Sequence, residues 1–208
     1  SNFQAAYPSG GGTNSKNVFP RFVSSTNYHL LDNCGLAGTG GLGITNDIDS
    51  DTRAAVPIMG ADERTYVNDL AITQVVTPTT PFAAQTYFPS AWVKNMGLAS
   101  VTNPTIYYSF NAGAPVSQTY TGTLNTCDSV LVSFTTSFTV VSGSNSLKVY
   151  CAEVTDNDRT NDTINLISAC TGMAGNYTIN PGGSGLPNFT TFSSAITALQ
   201  ACGIGGPV

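Results

Sequence analysis

The chain has 208 residues, of which 41% are hydrophobic and only 9% are charged, and its formal net charge is -5. This balance excludes intrinsic disorder and is typical of a secreted β protein whose solubility comes from hydroxyl and amide groups. The seven lysines and arginines are scattered singly, so we expect no nucleic acid partner. No apolar run is long enough to predict a membrane span. Ser1 is not an initiator methionine, and we expect the segment to be mature or excised material.

Residues 1–65 are expected to hold two short strands, at 17–23 and 28–31. Long glycine-rich loops connect them, and two strands cannot bury a core alone. We therefore expect this segment to pack against another part of the protein or a neighbour. The single histidine, His29, stands beside an aromatic and an aliphatic residue, which indicates a structural role.

An alternating run of carboxylates follows, at Asp47, Asp49 and Asp51. Alternate carboxylates in a loop converge on a hard cation, so one hypothesis is a Ca²⁺ site formed by these three residues. The rest of the EF-hand pattern is missing. The other interpretation is a solvated loop in which Arg53 pairs with Asp49 or Glu63.

The end of this segment resembles the closing rungs of right-handed parallel β-helix domains in secreted bacterial proteins. That family ends on a motif of the form D-I-D-x-x-x-R followed by I/M-G-A-D/E-E. The resemblance implies that residues 1–65 are terminal rungs of a parallel β-helix. The positions that match the motif are Asp47, Ile48, Asp49, Arg53, Met59, Gly60, Ala61, Asp62 and Glu63.

The middle of the chain is a row of short stretches rich in Val, Ile, Thr, Tyr and Phe, each followed by a turn. Ile106, Tyr108 and Phe110 alternate with polar or outward positions, as in a half-buried strand. Such a row predicts an all-β sandwich or barrel. The predicted strands are 69–76, 85–94, 105–111, 117–121, 129–136, 146–154 and 163–167.

Four motifs in this region resemble the bacterial immunoglobulin-like modules of the CARDB type. They are an opening N-D-hydrophobic strand at 68–72, a V-K-N-x-G turn at 93–97, a Y-x-hydrophobic-N-G strand end at 108–113 and a closing N-D-T at 161–164. The third motif departs from the family pattern, because Ala112 is inserted between Asn111 and Gly113. The resemblance implies that residues 66–168 form an Ig-like β-sandwich.

The last segment, 169–208, changes character. Phe189, Phe192, Ile196 and Leu199 recur at helical spacing, Thr190 or Thr191 is a candidate cap, and the helix is expected to end near Gly203. The stretch GNYTINPGGSGLPNFTTFSSAITALQACGIGGPV resembles the opening of the same β-helix family. This resemblance implies the N-terminal cap and first strand of a following β-helix.

No CxxC pair occurs among the cysteines, and disulfides in an oxidising compartment are predicted instead of a zinc site. The expected pairs are Cys127–Cys151 and Cys170–Cys202, with Cys34 either free or paired outside the chain. In the strand that follows Cys127, alternate residues are expected to face inward, and the same alternation turns Cys127 outward. A disulfide between Cys127 and Cys151 therefore requires a bulge or twist at the start of that strand. The sequence has five cysteines: Cys34, Cys127, Cys151, Cys170 and Cys202.

No constellation of residues identifies a reaction, so no catalytic residue and no cofactor other than Ca²⁺ is predicted. The family resemblances imply a structural or adhesive, non-catalytic segment of a long cell-surface fibre of the kind that Bacteroidota secrete, some for attachment and gliding motility. The Ig-like module would be a spacer between β-helix modules. Copies of the chain, or adjoining modules of the same long chain, would be its partners.

Two alternatives remain. The first is the spacer portion of a secreted β-helix enzyme that degrades polysaccharides. The second concerns partners, because the aromatic residues of the middle region could stack on surface glycans instead of packing against each other.

Ser129 and Thr163 also follow aspartates and precede hydrophobic residues, a pattern that resembles O-glycosylation sites of Bacteroidota.

Overall fold

The computed structural model describes residues 18–41, 43–140, 143–153, 155–168, 172–204 and 206–208. These residues form short strands and one helix, so the all-β prediction is confirmed. In chain order they are β1 Leu70–Thr77, β2 Thr86–Tyr87, β3 Ser90–Asn95, β4 Val101–Thr102, β5 Thr105–Phe110, β6 Val116–Thr119, β7 Thr123–Leu124, β8 Ser129–Ser133, β9 Phe138–Thr139, β10 Asn145–Cys151, β11 Thr163–Ser168, β12 Thr178–Ile179, β13 Asn188–Phe189 and α1 Phe192–Cys202.

Two antiparallel sheets make up the centre of the molecule. One has the strand order β1-β3-β8 and the other β11-β10-β5-β6, while β2–β9, β4–β7 and β12–β13 form small pairs. Two packed antiparallel sheets with this crossed strand order form an immunoglobulin-like sandwich. The described strands do not close into a barrel, so the sandwich prediction holds over the barrel alternative.

The core lies between the two sheets and follows from the alternation of each strand. In β10, Leu147, Val149 and Cys151 point inward while Ser146 and Lys148 are exposed. Apolar residues on one face of each sheet therefore meet in a common interior, whose burial is the main stabilising term of a sandwich. The contributions of the other strands include Leu70, Ile72, Ala91, Val93, Ile106, Tyr108 and Val132.

Pro89 divides the predicted strand 85–94 into β2 and β3, because proline lacks the N–H that a continuous ladder needs. The strand that follows it, β3, is the central strand of its sheet and not an edge. Pro89 itself is fully buried, and its carbonyl accepts a hydrogen bond from Phe134 N at 2.9 Å.

The first segment attaches to the end of the sandwich where β1 begins and β3 ends. A disulfide joins Cys34 to Cys127 in the turn before β8, and Lys94 Nζ lies 2.9 Å from Asp32 Oδ2. Burial opposes ionisation of Asp32, but hydrogen bonds from Lys94 and Cys34 N outweigh it and lower the pKa of this carboxyl.

The Cys34–Cys127 disulfide corrects two predictions. Cys151 cannot reach Cys127, because it lies on the inner face of β10 and its buried thiol is free. Cys127 lies in a turn with a positive φ of 73°, facing the first segment, so Cys34 has a partner within the chain. Cys202 is disulfide-bonded, and Cys170, its predicted partner, lies outside the described residues.

The last segment attaches to the opposite end of the sandwich, where β1 and β11 finish. Gly172 N donates to Phe82 O at 2.9 Å, in the loop after β1, and Phe82 N donates to Ser168 Oγ at 3.1 Å at the end of β11. The predicted helix is confirmed as α1, with Thr191 as N-cap in a capping box and Gly203 as C-cap, but Phe189, the first residue of the predicted helical spacing, lies in β13. The two flanking segments are therefore separated by the length of the sandwich strands.

Neither flank shows the strands of a regular β-helix body among its described residues. The predicted strand pair 17–23 and 28–31 is instead one isolated bridge between Phe22 and Leu30, with further bridges at Ala37–Ile58 and Asn46–Thr52. Residue 17 of the first predicted strand lies outside the described residues. The assignment of both flanks to β-helices stays a prediction.

Candidate functional site

The predicted metal residues Asp47, Asp49 and Asp51 do not form a cluster of ligand atoms in the part of the chain that the structure describes. Asp47 Oδ1 accepts the backbone N–H of both Asp49 and Asp51 at 2.9 Å, and its Oδ2 accepts Glu63 N at 3.1 Å. Desolvation opposes ionisation of Asp47, but these backbone hydrogen bonds outweigh it and lower the pKa. Asp47 therefore organises the loop.

Arg53 fixes the motif that resembles a β-helix ending. Its guanidinium lies 3.5 Å from Glu63 Oε2 and donates to the carbonyls of Gly60 and Ala61 at 2.8 and 3.1 Å. Of the two predicted partners of Arg53, the structure shows Glu63. The motif is thus a closed loop in which the Arg53 guanidinium donates hydrogen bonds to the carbonyl groups of one turn.

A different group of ligand-type atoms does come together in the first segment. His29 Nε2 lies 2.8 Å from Asp49 Oδ2, and one atom each from His29, Asp49 and Asp62 lie within 4.8 Å of one another. These residues border a cavity of about 290 Å³ that Glu63 and Arg64 also line. The sequence pattern did not predict His29 or Asp62 as metal ligands, because it assigned His29 a structural role and Asp62 to the closing motif.

Arg64 holds the first segment to the sandwich from inside. Its side chain is 6% exposed and pairs with Asp69, and it also lies 3.0 Å from Asp158 Oδ2. Burial raises the pKa of Asp69, against the effect of the Asn161 amide and the Arg64 guanidinium. Asp69 is five residues from Arg64 in the chain, whereas Asp158 is 94 residues away and is brought to Arg64 only by the fold.

Beside this pair lies a buried thiol next to a carboxyl group. Cys151 Sγ donates to Leu70 O at 2.6 Å and lies 3.3 Å from Asp162 Oδ1. Burial and the nearby Asp156 charge raise the pKa of Asp162 to about 6, against the Cys151 hydrogen bond. Burial, with the Asp162 charge, also raises the pKa of the Cys151 thiol. A thiol with a raised pKa carries little thiolate, which makes Cys151 inert.

At the other end of the molecule, α1 and the β12–β13 pair border an open apolar groove of about 330 Å³. No residue of α1 is buried, although its apolar residues share one face, and Phe192 is 68% exposed. Apolar surface of this kind marks an interaction site more often than chance exposure. The residues that line the groove include Tyr177, Ile179, Phe192, Ile196, Leu199 and Ile204.

The last segment also lacks charge. No Asp, Glu, Lys, Arg or His follows Asp162 in the sequence. Solvent-exposed surfaces usually carry charged residues of both signs, whereas the centres of interfaces are depleted of charged residues. The groove therefore has the composition of a contact surface.

Apolar side chains are exposed in the first segment as well. Phe19 is 95% exposed, and Tyr28 and Ile48 are also exposed. Phe22 and Tyr28 pack edge to face, with their ring centroids 5.6 Å apart. Both ends of the molecule thus present hydrophobic groups to solvent.

The remaining predicted sites lie on the sandwich. Ser129 is exposed at the start of β8 and Thr163 is half-buried at the start of β11, both edge strands; their glycosylation stays a prediction. Among the aromatic residues weighed for glycan stacking, Tyr108 is buried, while Tyr107 and Tyr150 stack on each other with centroids 5.3 Å apart. Glycan binding also stays a prediction.

No helix within the described residues combines the length and the apolar character that a bilayer span requires. No protein-family model matches the chain, and no curated protein matches it.

Among solved structures, the chain is similar to the CARDB domain of a Pyrococcus furiosus protein, at 16% identity and a TM-score of 0.41, over 50% of this chain and 96% of that one. A crystal structure of that domain in complex with di-metal ions matches at 15% identity and a TM-score of 0.42, over 51% of this chain and 92% of that one. A domain from a protein assigned to the cell surface of Methanosarcina acetivorans matches at 18% identity and 0.43, over 54% and 99%. At these scores no property is transferred to this chain.

Proposed function

We propose that this chain is a structural, non-catalytic segment of a long extracellular surface fibre, in which the Ig-like sandwich is a spacer. The first segment of one unit covers the apolar groove of the next. The unit that follows is a sister copy or an adjoining module of the same long chain. Attachment to surfaces is the role that we infer for the assembled fibre.

The placement of the two flanks at opposite ends of the sandwich carries this proposal. The first segment is bonded where β1 begins, and the last segment is bonded where β1 ends. A strand of this length spans roughly 25 Å at about 3.3 Å per residue. Two different contact surfaces at opposite ends join subunits head to tail, and such contacts give open fibres when the rotation between subunits does not close a ring.

The composition of the two surfaces supports the same arrangement. The groove around α1 is apolar and uncharged, and the first segment offers Phe19 and Val23, both exposed. Burying such side chains at an interface is favourable by about 1.5–3 kcal/mol each. The Cys34–Cys127 disulfide supports an extracellular location, because disulfides persist in oxidising compartments.

Self-association measured by sedimentation velocity tests the proposal. The wild-type chain should form species larger than a dimer as its concentration rises. Phe19→Glu at one end and Phe192→Glu at the other should each leave a monomer, because each variant loses one contact surface. Phe19 is nearly fully exposed, and an acidic residue at the start of α1 is favourable to the helix, so both variants should fold.

A mixture of the two variants separates this arrangement from symmetric contacts. An intact groove and an intact first segment remain in the mixture, on different chains, so an equimolar sample should form dimers and nothing larger. Ile167→Glu is the matched control, because Ile167 is about as exposed as Phe192 but lies on β11 of the sandwich. Association lost equally in the control, or a wild-type chain that stays monomeric at every concentration, would contradict the proposal.

A further inference from the structure

We propose that His29, Asp49 and Asp62 form a binding site for one divalent transition metal ion, of which Zn²⁺ is the representative. The three side chains come from separate parts of the first segment. Their ligand atoms lie within 4.8 Å of one another. This set replaces the Ca²⁺ hypothesis for Asp47, Asp49 and Asp51, because both oxygens of Asp47 are engaged by backbone N–H groups.

Asn27 fixes the tautomer of His29. The Asn27 Oδ1 atom accepts the backbone N–H of His29 at 3.1 Å, which identifies it as the amide oxygen, and it lies 2.5 Å from the ring Nδ1. An amide oxygen only accepts, so Nδ1 carries the proton. Ligating histidines are held in this way, with one ring N–H donated to an outer partner and the other nitrogen left for the metal.

The second ring nitrogen then faces a carboxylate across a short gap. His29 Nε2 lies 2.8 Å from Asp49 Oδ2, and two acceptors at this distance repel unless a cation lies between them. Two cations could remove the repulsion: a second proton on the ring, which makes the contact an ion pair, or a metal ion that both atoms coordinate. Zn²⁺ bonds nitrogen and carboxylate oxygen at about 2.0–2.2 Å in tetrahedral geometry, which sets two of its ligand atoms about 3.4 Å apart. The His29 and Asp49 atoms, now 2.8 Å apart, therefore have to separate by about 0.6 Å to admit the ion, which two exposed side chains on loops can do.

The third ligand favours the metal over the proton. Asp62 Oδ2 accepts Leu30 N at 2.7 Å, which holds this carboxylate beside His29. Asp62 has no ion pair among the residues that the structure describes, and a ring proton shared with Asp49 leaves its charge uncompensated. One divalent ion neutralises both carboxylates. A nitrogen with two carboxylate oxygens suits borderline metals such as Zn²⁺ more than Ca²⁺, which takes oxygen ligands.

The surroundings leave room for such an ion and for water ligands. The cavity of about 290 Å³ borders all three residues. Asp47 holds the loop that carries Asp49, through its hydrogen bond from Asp49 N, and Leu30 N holds Asp62. A site whose ligands are positioned by their supports loses little entropy on binding. The bound ion would cross-link the loop at 47–51 to the turn at 27–30.

His29 is the single histidine, so its ring nitrogens give an unambiguous signal in a long-range ¹H–¹⁵N spectrum of the intact chain. Titration with ZnCl₂ should shift the Nε2 resonance and saturate at one ion per chain, while CaCl₂ at the same concentration should leave it in place. Calorimetry with ZnCl₂ should show binding to the wild type, none to His29→Gln and at least a tenfold weaker affinity for Asp62→Asn.

Asp51→Asn is the matched control, because Asp51 belongs to the same loop but lies outside the proposed ligand set; its zinc affinity should stay within twofold of the wild type. If the Nε2 resonance does not shift when ZnCl₂ is added, the proposal is overturned and the His29–Asp49 contact is an ion pair. Zinc binding that survives His29→Gln would overturn the proposal as well.

Discussion

Cys34 and Cys127 are bonded across a sequence separation of 93 residues, with their Cα atoms 5.6 Å apart. This bond ties a segment with little regular structure to the turn before β8. Closing a loop of this length removes enough unfolded-state entropy to contribute about 4.5 kcal/mol in the chain-entropy model. We therefore expect the double variant Cys34→Ser, Cys127→Ser to lose stability of this order in urea unfolding.

Limited proteolysis shows where the loss falls. The double variant should be cut within residues 18–65 while the sandwich stays intact, because the first segment has only a small core of its own. Cys151→Ser is the control, since it removes a cysteine and no cross-link, and its cleavage pattern should match the wild type. Equal resistance of the double variant and the wild type would argue against a tethering role.

Arg64 and Asp69 form the second connection, and both side chains are almost completely buried. Arg64→Met leaves the Asp69 carboxyl buried without its cation, and breaking a buried pair in this way typically destabilises by about 3–5 kcal/mol. Adding Asp69→Asn should restore part of that loss in chemical denaturation. Arg21→Met is the control, because Arg21 is half exposed and Lys94 still neutralises Asp32; its effect should stay under about 1 kcal/mol.

Gly97 occupies a position where a side chain has no space. A Cβ atom there would lie 2.5 Å from Val67 O and 2.7 Å from Asp69 N, both backbone atoms that cannot move aside cheaply. Gly97→Ala should therefore destabilise the sandwich by about 1–3 kcal/mol in thermal or urea unfolding. Gly182→Ala, where the new Cβ would meet only a side-chain atom at 3.7 Å, should be nearly neutral. Similar effects of the two substitutions would contradict this explanation of the turn.

Asp162 gives the protein a defined pH dependence. Its folded pKa of about 6 lies above its unfolded value, so the folded state holds a proton that the unfolded state releases first. The Asp162 contribution therefore lowers stability as pH rises from about 4 to about 6, by up to about 3 kcal/mol, and is constant above that range. Below about pH 4 Asp162 is protonated in both states and this contribution vanishes. The lowered pKa values of Asp32 and Asp47 act in the opposite direction.

The variant Asp162→Asn isolates this contribution, because the other carboxyls remain in both proteins. The free energy of unfolding of the variant minus that of the wild type should increase from pH 4 to pH 7, by up to about 3 kcal/mol. The comparison requires urea unfolding of both proteins at the two pH values. A difference between the proteins that does not change with pH would refute the assignment.

Local patterns predicted the regular elements. The alternation of Leu147, Val149 and Cys151 places them on one face of β10, and Thr191 and Gly203 bound α1 as their capping chemistry indicates. These features depend on neighbours in the sequence. The strands 85–94 and 146–154 were predicted too long, since Pro89 interrupts one and the other ends at Cys151.

Long-range pairing explains what the sequence did not predict. The partner of Cys34 is decided by how the first segment docks on β3 and β8, and no local signal encodes that docking. The same alternation that described β10 already placed Cys151 in the core, which argues against its predicted bond with Cys127. His29, Asp49 and Asp62 likewise meet through the fold of separate loops, and Asp47 organises the loop that carries Asp49.

In the proposed fibre, the first segment of one unit covers the groove of the next. A photo-reactive amino acid in place of Phe19, followed by irradiation of concentrated protein and mass spectrometry, tests this contact directly. We expect intermolecular cross-links from position 19 to groove residues such as Phe192, Ile196 and Leu199. Cross-links confined to position 19 of the other copy, or to the outer faces of the sandwich, would contradict it.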